Sequence, residues 1–210
     1  MLAAMGVAGL AVASGTAGAF INRGGNADEA VMAQDEGDMM NFRVYETLAD
    51  MAEDPELTSG TYAKTMGYYK PGDGGGAEYI VELSDYKRNT DGGSVIGLAN
   101  EKHYALLTNV TAVNYKMFGA VGDGENDDGK QIKNAHTYAN QNQIPVVNLS
   151  GDYWLKFTKG IYILTNVDWG HTKFHIDESY NTKNEPRFEI RGRKLQKKIE
   201  FNAEQKACFL

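Results

Sequence analysis

The sequence predicts a mainly β protein in which short strands stack one after another, preceded by a small α+β module. Two observations carry this prediction. The second half of the chain contains short β-type runs at near-regular spacing, with turn residues between them. The chain also has 24 glycines but only 4 prolines, a balance that favours many tight turns over a disordered linker. Its 210 residues suffice for one medium domain or two small ones.

The charge and composition of the chain indicate which classes of binding partner are to be expected. The net charge is -7 and the isoelectric point is near 5.1, so nothing in this balance favours a nucleic-acid partner. Hydrophobic residues make up 42% of the chain and charged residues 23%, values typical of a globular protein. Cys208 is the only cysteine, which excludes an intrachain disulfide, and we interpret it as a core thiol. No cofactor is expected.

An uncharged stretch of mainly small and apolar residues occupies positions 1–20 and ends in the small-x-small pattern Ala17-Gly-Ala19. These are features of the apolar and cleavage regions of a secretory signal. The basic region that normally precedes them is missing, since the first arginine is Arg23. Export is favoured over the alternative, a membrane anchor, because glycine and alanine dilute the hydrophobicity. Residues 21–41 are polar and aperiodic, as in a flexible linker.

Residues 42–110 are predicted to form a small, glycine-rich α+β module. Phe42-Arg-Val-Tyr45 suits a short strand, and Thr47-Leu-Ala-Asp50 has the form of a capping box that starts a short helix. The inner face of this helix would carry Leu48, Met51 and Ala52. Further strands are expected within residues 61–69, 77–83, 95–98 and 104–106.

A glycine-rich loop, Pro71-Gly-Asp-Gly-Gly-Gly76, separates two of these strands. A phosphate-binding loop would continue into Lys-Ser/Thr and open a helix. Here an alternating strand follows instead, and its inner side would carry Ala77, Tyr79, Val81 and Leu83. The loop is therefore interpreted as a structural turn.

A helix is predicted from Asp128 through Gln141. The Asp128 carboxylate would accept hydrogen bonds from the free amides of the first turn, with Gln131 as its capping-box partner. One face is apolar at the helical spacing i, i+3, i+4, i+7, and it carries Ile132, Ala135, His136 and Ala139. This face would cover the open end of a stack of strands, which otherwise invites association through its edge.

The β-type runs after this helix alternate between two faces, as Ile161 with Ile163 and Phe174 with Ile176 show. The runs are Val146–Leu149, Tyr153–Phe157, Ile161–Thr165, Lys173–Asp177, Arg187–Arg191, Lys198–Asn202 and Ala207–Leu210. A β-sandwich would give a similar pattern, so the strands alone leave the architecture open between a sandwich and a stacked helix of strands.

A motif at the start of this region resembles a known family. Phe118-Gly-Ala-Val-Gly-Asp-Gly-Glu-Asn-Asp-Asp128 is similar to the opening motif of the pectate-lyase-like superfamily of right-handed parallel β-helices, which includes polysaccharide lyases, glycoside hydrolases and phage tailspike depolymerases. The similarity continues in Ile144-Pro-Val-Val-Asn-Leu-Ser-Gly-Asp-Tyr153. Residues 67–79 resemble the small module before the β-helix of many tailspikes. The motif positions are Phe118, Gly119, Gly122, Asp123, Gly124, Asp127 and Asp128.

The resemblance, which covers residues 42–180, favours a parallel β-helix over a sandwich. It implies that residues 111–210 hold the capping helix and first coils of a truncated helix. It also implies that catalytic residues lie on later coils, so none is assigned. The open edge would expose apolar side chains and promote association, namely those of Ile199, Phe201, Phe209 and Leu210. One departure is Gly129, where the family usually carries Thr.

No metal site is predicted. The series Asp123, Glu125, Asp127 begins like an EF-hand loop but lacks its glycine at position 6 and its glutamate at position 12, which leaves a different cation site as the minor alternative. His171 and His175 have the spacing of a zinc pair on a helix. On a strand they lie about 13 Å apart at ~3.3 Å per residue, too far to share an ion.

The function implied by the resemblance is the binding or cleavage of polysaccharide, with catalytic residues unknown. Trp154 and Trp169 are candidates for stacking on sugar rings, although packing in the core explains them equally well. The acids on the coils form no diagnostic catalytic pair; they are Asp152, Asp168, Asp177 and Glu178. Two hypotheses stay open: an exported polysaccharide-processing enzyme at the cell surface or outside the cell, and a phage tailspike or adhesin, homotrimeric if tailspike-like, whose module serves attachment.

Overall fold

Five strands and one short helix form the first layer of the protein. In this computed structural model the described residues are 41–177, 179 and 186–192. The elements of the first layer are β1 (Phe42–Tyr45), α1 (Leu48–Glu53), β2 (Tyr62–Thr65), β3 (Glu78–Leu83), β4 (Val95–Gly97) and β5 (His103–Thr108). The strand order is β1-β2-β3-β5-β4, with β1 parallel to β2 and the other pairs antiparallel. These residues contain both strands and a helix, and their assignment as a separate α+β module stays a prediction.

Several predictions concern residues outside the described ranges. They are the signal-like segment 1–20, the linker 21–40, the acid Glu178, the strands Lys198–Asn202 and Ala207–Leu210, and the residues Ile199, Phe201, Cys208, Phe209 and Leu210. In the part of the chain that the structure describes, no helix is both long and apolar enough to cross a membrane.

Local sequence rules account for the first helix. The Thr47 hydroxyl accepts a hydrogen bond from the Asp50 amide at 3.1 Å, and the Asp50 carboxylate accepts one from the Thr47 amide at 3.0 Å. Both halves of the predicted capping box are therefore present. Leu48 and Met51 are buried, as their spacing predicts.

The alternation in β3 holds except at its end. Tyr79 and Val81 are completely buried, while Leu83, predicted on the inner side, is 52% exposed. Leu83 is the last residue of the strand and pairs with His103, the first residue of β5. Val81 is therefore the last buried residue on the inner side of β3, although the hydrophobic alternation in the sequence continues to Leu83.

The second layer begins with a single 3-10 turn, Lys116–Phe118, and continues through one helix and seven short strands. These are β6 (Asp123–Asp127), α2 (Gly129–Asn142), β7 (Val146–Val147), β8 (Ser150–Leu155), β9 (Ile161–Ile163), β10 (Val167–Asp168), β11 (His171–Ile176) and β12 (Phe188–Ile190). The sequence runs predict β7, β8, β9, β11 and β12, whereas β6 and the two-residue β10 were missed.

The strands of this layer pair in parallel, each with the strand one coil later. Here a coil is a set of three strands in sequence: β7, β8 and β9, then β10, β11 and β12. Val146 lies beside Val167 and Tyr153 beside Phe174, each 21 positions later, and Ile161 lies beside Phe188, 27 positions later. The third interval is longer because residues 177–187 connect β11 to β12, whereas residues 156–160 suffice between β8 and β9.

Parallel strands that recur coil by coil confirm the predicted stack and exclude the sandwich for these residues, because a sandwich consists of antiparallel sheets. Three short parallel sheets result: β7 with β10, β6 with β8 and β11, and β9 with β12. Closure into a complete right-handed helix stays a prediction.

Helix α2 presents its apolar face to these strands. Ile132, Ala135, His136 and Ala139 are all completely buried, and the helix packs against β7, β8 and β9. Its predicted role as the cap of the β-helix is consistent with this packing and stays a prediction. Buried side chains from the first sheet, α2 and the coils belong to one hydrophobic cluster, and the domain boundary expected near residue 110 also stays a prediction.

Candidate functional site

The motif Phe118–Asp128 joins the two layers. The 3-10 turn ends at Gly119, whose φ of 84° lies in the left-handed region that favours glycine. A β-carbon at Gly119 would lie 2.6 Å from the ring of Tyr68, so no other residue fits without displacing that ring. The Tyr69 hydroxyl donates to the Gly119 carbonyl at 2.8 Å. Two of the three segments that carry the family resemblance, residues 67–79 and 118–128, are thus in direct contact.

The central part of the motif is a strand with a turn inside it. Asp123 pairs with Asp152 and Asp127 pairs with Trp154, with a shift of register between them. The shift accommodates a local turn, in which the Asp123 carboxylate accepts from the amides of Glu125 at 2.9 Å and Asn126 at 3.0 Å. From one pair to the next, β8 advances by two residues while β6 advances by four, so β6 carries extra residues as in a β-bulge.

The two glycines of this part have different neighbours. Gly122 has a φ of 68°, and a β-carbon there would lie 2.8 Å from the Tyr153 ring. Gly124, inside the local turn, would bring a β-carbon to 3.3 Å from the Asp152 carboxyl carbon. Gly122 is thus needed for close packing against the coil, and Gly124 keeps the turn clear of an outward-facing carboxylate.

Asp128 occupies the position before α2, but its side chain does not cap the helix, so the predicted capping box with Gln131 is wrong. The Asp128 carboxylate instead accepts from the amides of Val121 at 2.7 Å and Gly122 at 3.1 Å. Burial raises the pKa of Asp128, and these two amide donors oppose that rise. The Asp128 side chain therefore holds the segment before β6, residues 121–122, and its backbone carbonyl accepts the first hydrogen bond of the helix, from the Ile132 amide.

Asp127 makes the contact that was expected of Asp128. One Asp127 carboxylate oxygen accepts from the Gly129 amide at 3.2 Å and from the Lys156 amide at 3.0 Å. It therefore ties the start of α2 to the end of β8, two elements that lie far apart in the sequence.

Trp154 lies on the outward face of the β6-β8-β11 sheet. Its neighbour across the strands is His175 of β11, with ring centroids 6.1 Å apart, and the Lys156 ammonium lies 4.4 Å from the Trp154 ring centroid. His175 Nε2 is 2.5 Å from Asp152 Oδ1. We call this set, with Lys173 beside Asp152, the Trp154 face.

Trp169 has a different environment. Its ring packs edge-on against Phe174 and Phe188, with centroids 6.0 and 6.3 Å away, and its Nε1 donates to the Tyr115 hydroxyl at 3.0 Å. These contacts hold Trp169 against the interior of the stack. Of the two tryptophans proposed to stack on sugars, only Trp154 lies among polar, outward-facing side chains.

Where the structure describes them, the acids and histidines of the coils are not gathered into a group of three or more. His171 and His175 lie on one strand, as the spacing argument assumes. Asp168 accepts from the Gly170 amide and Asp177 from the Ser179 amide, at 2.9 and 3.0 Å. Among the described residues no group of three or more His, Cys, Asp or Glu side chains could hold an ion.

A buried polar relay was not visible in the sequence. Trp169 Nε1 donates to the Tyr115 hydroxyl, which lies 2.9 Å from His136 Nε2. Burial lowers the pKa of His136 to about 4, so its imidazole is neutral near pH 7 and shares a hydrogen bond with the Tyr115 hydroxyl. Helical periodicity shows that His136 is inward, but its partners come from other elements and no local pattern identifies them.

A cavity lies where the glycine-rich loop meets the motif. Its volume is about 630 Å³ and its lining includes Tyr68, Tyr69, Lys70, Asp73, Lys116 and Val121. The sequence predicts that this loop is a structural turn only, and nothing in the local pattern shows that Lys70 and Lys116 share a cavity.

Comparisons with known proteins give structural likeness alone. No family model matches the chain, and no curated protein matches it. Among solved structures, the Pantoea stewartii enzyme WceF, described as a glycan biofilm modifying enzyme with a tailspike-like parallel β-helix fold, matches with a TM-score of 0.49 and 14% identity, over 65% of this chain and 21% of that one.

Two bacteriophage proteins are also similar. Tailspike protein 2 of bacteriophage CBA120 matches with a TM-score of 0.44 and 17% identity, over 64% of this chain and 19% of its own. A tailspike of an Acinetobacter baumannii bacteriophage, described as a capsular polysaccharide depolymerase, matches with a TM-score of 0.43 and 18% identity, over 72% and 23%. The chain thus spans about a fifth of the length of these structures.

Proposed function

We propose that this chain belongs to a protein that binds or cleaves polysaccharide outside the cell, and that the Trp154 face contacts the glycan. The observation that carries the proposal is the outward Trp154 ring beside the Asp152–His175 pair, on a sheet whose strands repeat along the stack. An aromatic ring offers an apolar surface to the C–H face of a sugar. A carboxylate and an imidazole beside it offer partners for its hydroxyl groups.

Strand geometry supports this use of the face. Residues of one rung, such as Asp127, Trp154 and His175, lie on neighbouring strands about 4.8 Å apart. A glycan lying along the stack would therefore meet successive strands at a spacing close to that of a sugar unit. Repeating stacks of this kind present extended surfaces suited to polymers.

Binding without cleavage is the expected behaviour of the 210-residue chain. Glycoside hydrolysis needs two carboxyl groups flanking the bond, about 5–5.5 Å or 6.5–9.5 Å apart. Of the candidate coil acids that the structure describes, Asp152 is engaged by His175, and Asp168 and Asp177 accept from backbone amides. We therefore place any cleavage in parts of the whole protein other than these coils.

Affinity electrophoresis on a panel of neutral and acidic polysaccharides, followed by calorimetry on any that bind, tests the proposal. Replacing Trp154 by alanine should weaken binding about three- to tenfold, since aromatic contacts contribute ~0.5–1.5 kcal/mol beyond buried area. Tyr86→Ala is the matched control, because Tyr86 is 73% exposed in a distant loop. Binding unaffected by Trp154→Ala, or binding to no polysaccharide in the panel, would overturn the proposal.

The second candidate is a phage tailspike or surface adhesin, in which residues 42–110 serve attachment. This role needs a module with a fixed orientation, and the contact between residues 67–79 and the motif supplies one. Light scattering on the product of the entire reading frame separates the candidates: a trimer supports the tailspike, while a monomer that releases reducing or unsaturated sugars supports the exported enzyme.

A further inference from the structure

A cavity of about 630 Å³ separates the glycine-rich loop from the start of the coils, and we call it the Tyr69 cleft. Its lining comprises Tyr68, Tyr69, Lys70, Gly72, Asp73, Lys116, Ala120 and Val121. Sites for small ligands in proteins typically have volumes of about 300–1,000 Å³. The cleft lies on a different part of the chain from the Trp154 face and shares no residue with it.

The walls of the Tyr69 cleft are fixed before any ligand arrives. The Asp73 carboxylate accepts hydrogen bonds from four backbone amides, those of Tyr68, Tyr69, Lys70 and Gly75, at 2.7–3.2 Å. The Tyr69 hydroxyl is bonded to the Gly119 carbonyl on the opposite wall. A preorganised site loses less conformational entropy on binding than a flexible one.

The Tyr69 cleft carries positive side chains, whereas the chain as a whole is negatively charged. The chain has a net charge of -7, yet two lysines line the cleft, and within residues 41–177, 179 and 186–192 neither the Lys70 nor the Lys116 ammonium has a hydrogen-bond or ion-pair partner. The lining has one acid, Asp73. Its amide donors lower its pKa despite partial burial, which keeps its charge directed at the backbone. Two ammonium groups are therefore available to an anion.

The apolar part of the cleft suits a ring. Tyr69 is 57% exposed and Val121 38% exposed, so an aromatic face and an aliphatic side chain line the same space as the two lysines. A sugar ring can lie on the aromatic face while a charged substituent reaches an ammonium.

We propose that the Tyr69 cleft binds a sugar unit that carries a carboxylate, with its ring against Tyr69 and its carboxylate at Lys70 and Lys116. This inference shares with the proposed function only the class of ligand, since it concerns a separate site and adds the requirement for negative charge.

Calorimetry on the 210-residue chain with a digalacturonate, and with the neutral galactose disaccharide of the same linkage, tests the inference. The acidic disaccharide should bind at least about fivefold more tightly than the neutral one, and raising NaCl from 50 to 300 mM should reduce this preference. The double variant Lys70→Gln with Lys116→Gln should lose the preference, while Lys87→Gln, which removes an exposed charge elsewhere, should keep it.

Two further variants separate this site from the Trp154 face and from a folding defect. In a Trp154→Ala background the acidic disaccharide should still bind more tightly than the neutral one, and the lysine double variant should still remove that preference, so failure of one proposal does not imply failure of the other. The lysine double variant should melt at the wild-type temperature. Equal binding of the two disaccharides, no binding of either, or an equal loss in Lys87→Gln would overturn the inference.

Discussion

His136 makes the stability of the protein depend on pH. Burial lowers its pKa to about 4, whereas in an unfolded chain the value is near 6.5. Between these values the unfolded chain binds a proton that the folded protein does not, so the stabilisation present above pH 6.5 is lost as the pH falls. We expect a loss of about 2 kcal/mol in the free energy of unfolding from pH 7.5 to pH 5, measured by urea denaturation.

His136→Gln is the comparison that isolates this effect. The glutamine can still accept from Tyr115 but does not titrate, so the variant should lose less stability over the same pH interval. Asp128 acts in the opposite direction, because a raised carboxyl pKa stabilises the folded protein at low pH and this contribution is lost as the pH rises. It is present in both proteins and cancels in the difference. Identical pH dependence in the two proteins would contradict the assignment.

Asp128→Ala should destabilise the protein through the Val121 and Gly122 amides. Both lose their acceptor, and unpaired backbone donors cost about 1–3 kcal/mol each when buried, so the expected loss is about 1–3 kcal/mol for this half-buried pair. Asp128→Asn keeps one acceptor oxygen and should lose about half as much. Chemical denaturation measures both changes, and equal losses in the two variants would mean that the carboxylate does not hold two donors.

These residues show where sequence reasoning reaches its limit. Thr47 and Asp50 are three positions apart and satisfy each other, so their capping box could be read from the sequence. Asp128 also precedes a helix, but Val121 and Gly122 compete for its carboxylate, and only the bulge in β6 brings them near. The pairing of Tyr115 with His136 and Trp169 likewise depends on three elements meeting.

At the scale of the element, Gly129 is the informative position of α2. Helix propensity predicts that Gly129→Ala stabilises a helix by about 0.8–1 kcal/mol. In the structure a β-carbon at this position would lie 2.6 Å from the Thr158 β-carbon, so we expect a net loss of about 1–3 kcal/mol from overpacking. Thermal denaturation measures it.

The double variant Gly129→Ala with Thr158→Gly supplies the control. Removing the Thr158 side chain opens the space, so alanine at 129 should be less harmful in that background than in the wild type. The same cost in both backgrounds would show that the contact with Thr158 is not the cause. The glycine that departs from the family pattern is thus explained by its neighbour on the coil.

Strand prediction succeeded where hydrophobic alternation was strong and failed where it was absent. β8 and β11 carry the inward aromatic residues Tyr153 and Phe174 between outward-facing neighbours, and the sequence predicts both strands. β6 is Asp-Gly-Glu-Asn-Asp, which has the composition of a loop and forms a strand only because β8 supplies its partner.

At the scale of the molecule, we predict that association occurs at the edge formed by the last described strands, β11 and β12. Among the described strands β11 pairs only with β8 and β12 only with β9, and Ile176 and Ile190 at this edge are 44% and 76% exposed. Unpaired strands with apolar side chains tend to pair with another copy. We expect the 210-residue chain to self-associate in size-exclusion chromatography with light scattering, and Ile190→Lys to reduce the association.

Leu83→Lys is the control for this prediction, because Leu83 is 52% exposed on the other sheet. It introduces the same charge at a distance from the stack edge and should leave the association unchanged. A wild-type chain that is monomeric at every concentration, or equal effects of the two lysines, would contradict the prediction.

Because the strands pair in register, the height of the stack depends on the number of coils and not on the number of residues in each coil. One coil uses 21 residues from β8 to β11 and rises by a single strand spacing of about 4.8 Å. The connection between β11 and β12 is longer than its counterpart in the preceding coil, yet β12 still lies beside β9. Connections can therefore lengthen without moving any strand. One residue inserted within β8 would instead exchange the positions of Trp154 and the buried Tyr153, so that outward-facing side chains would point into the core.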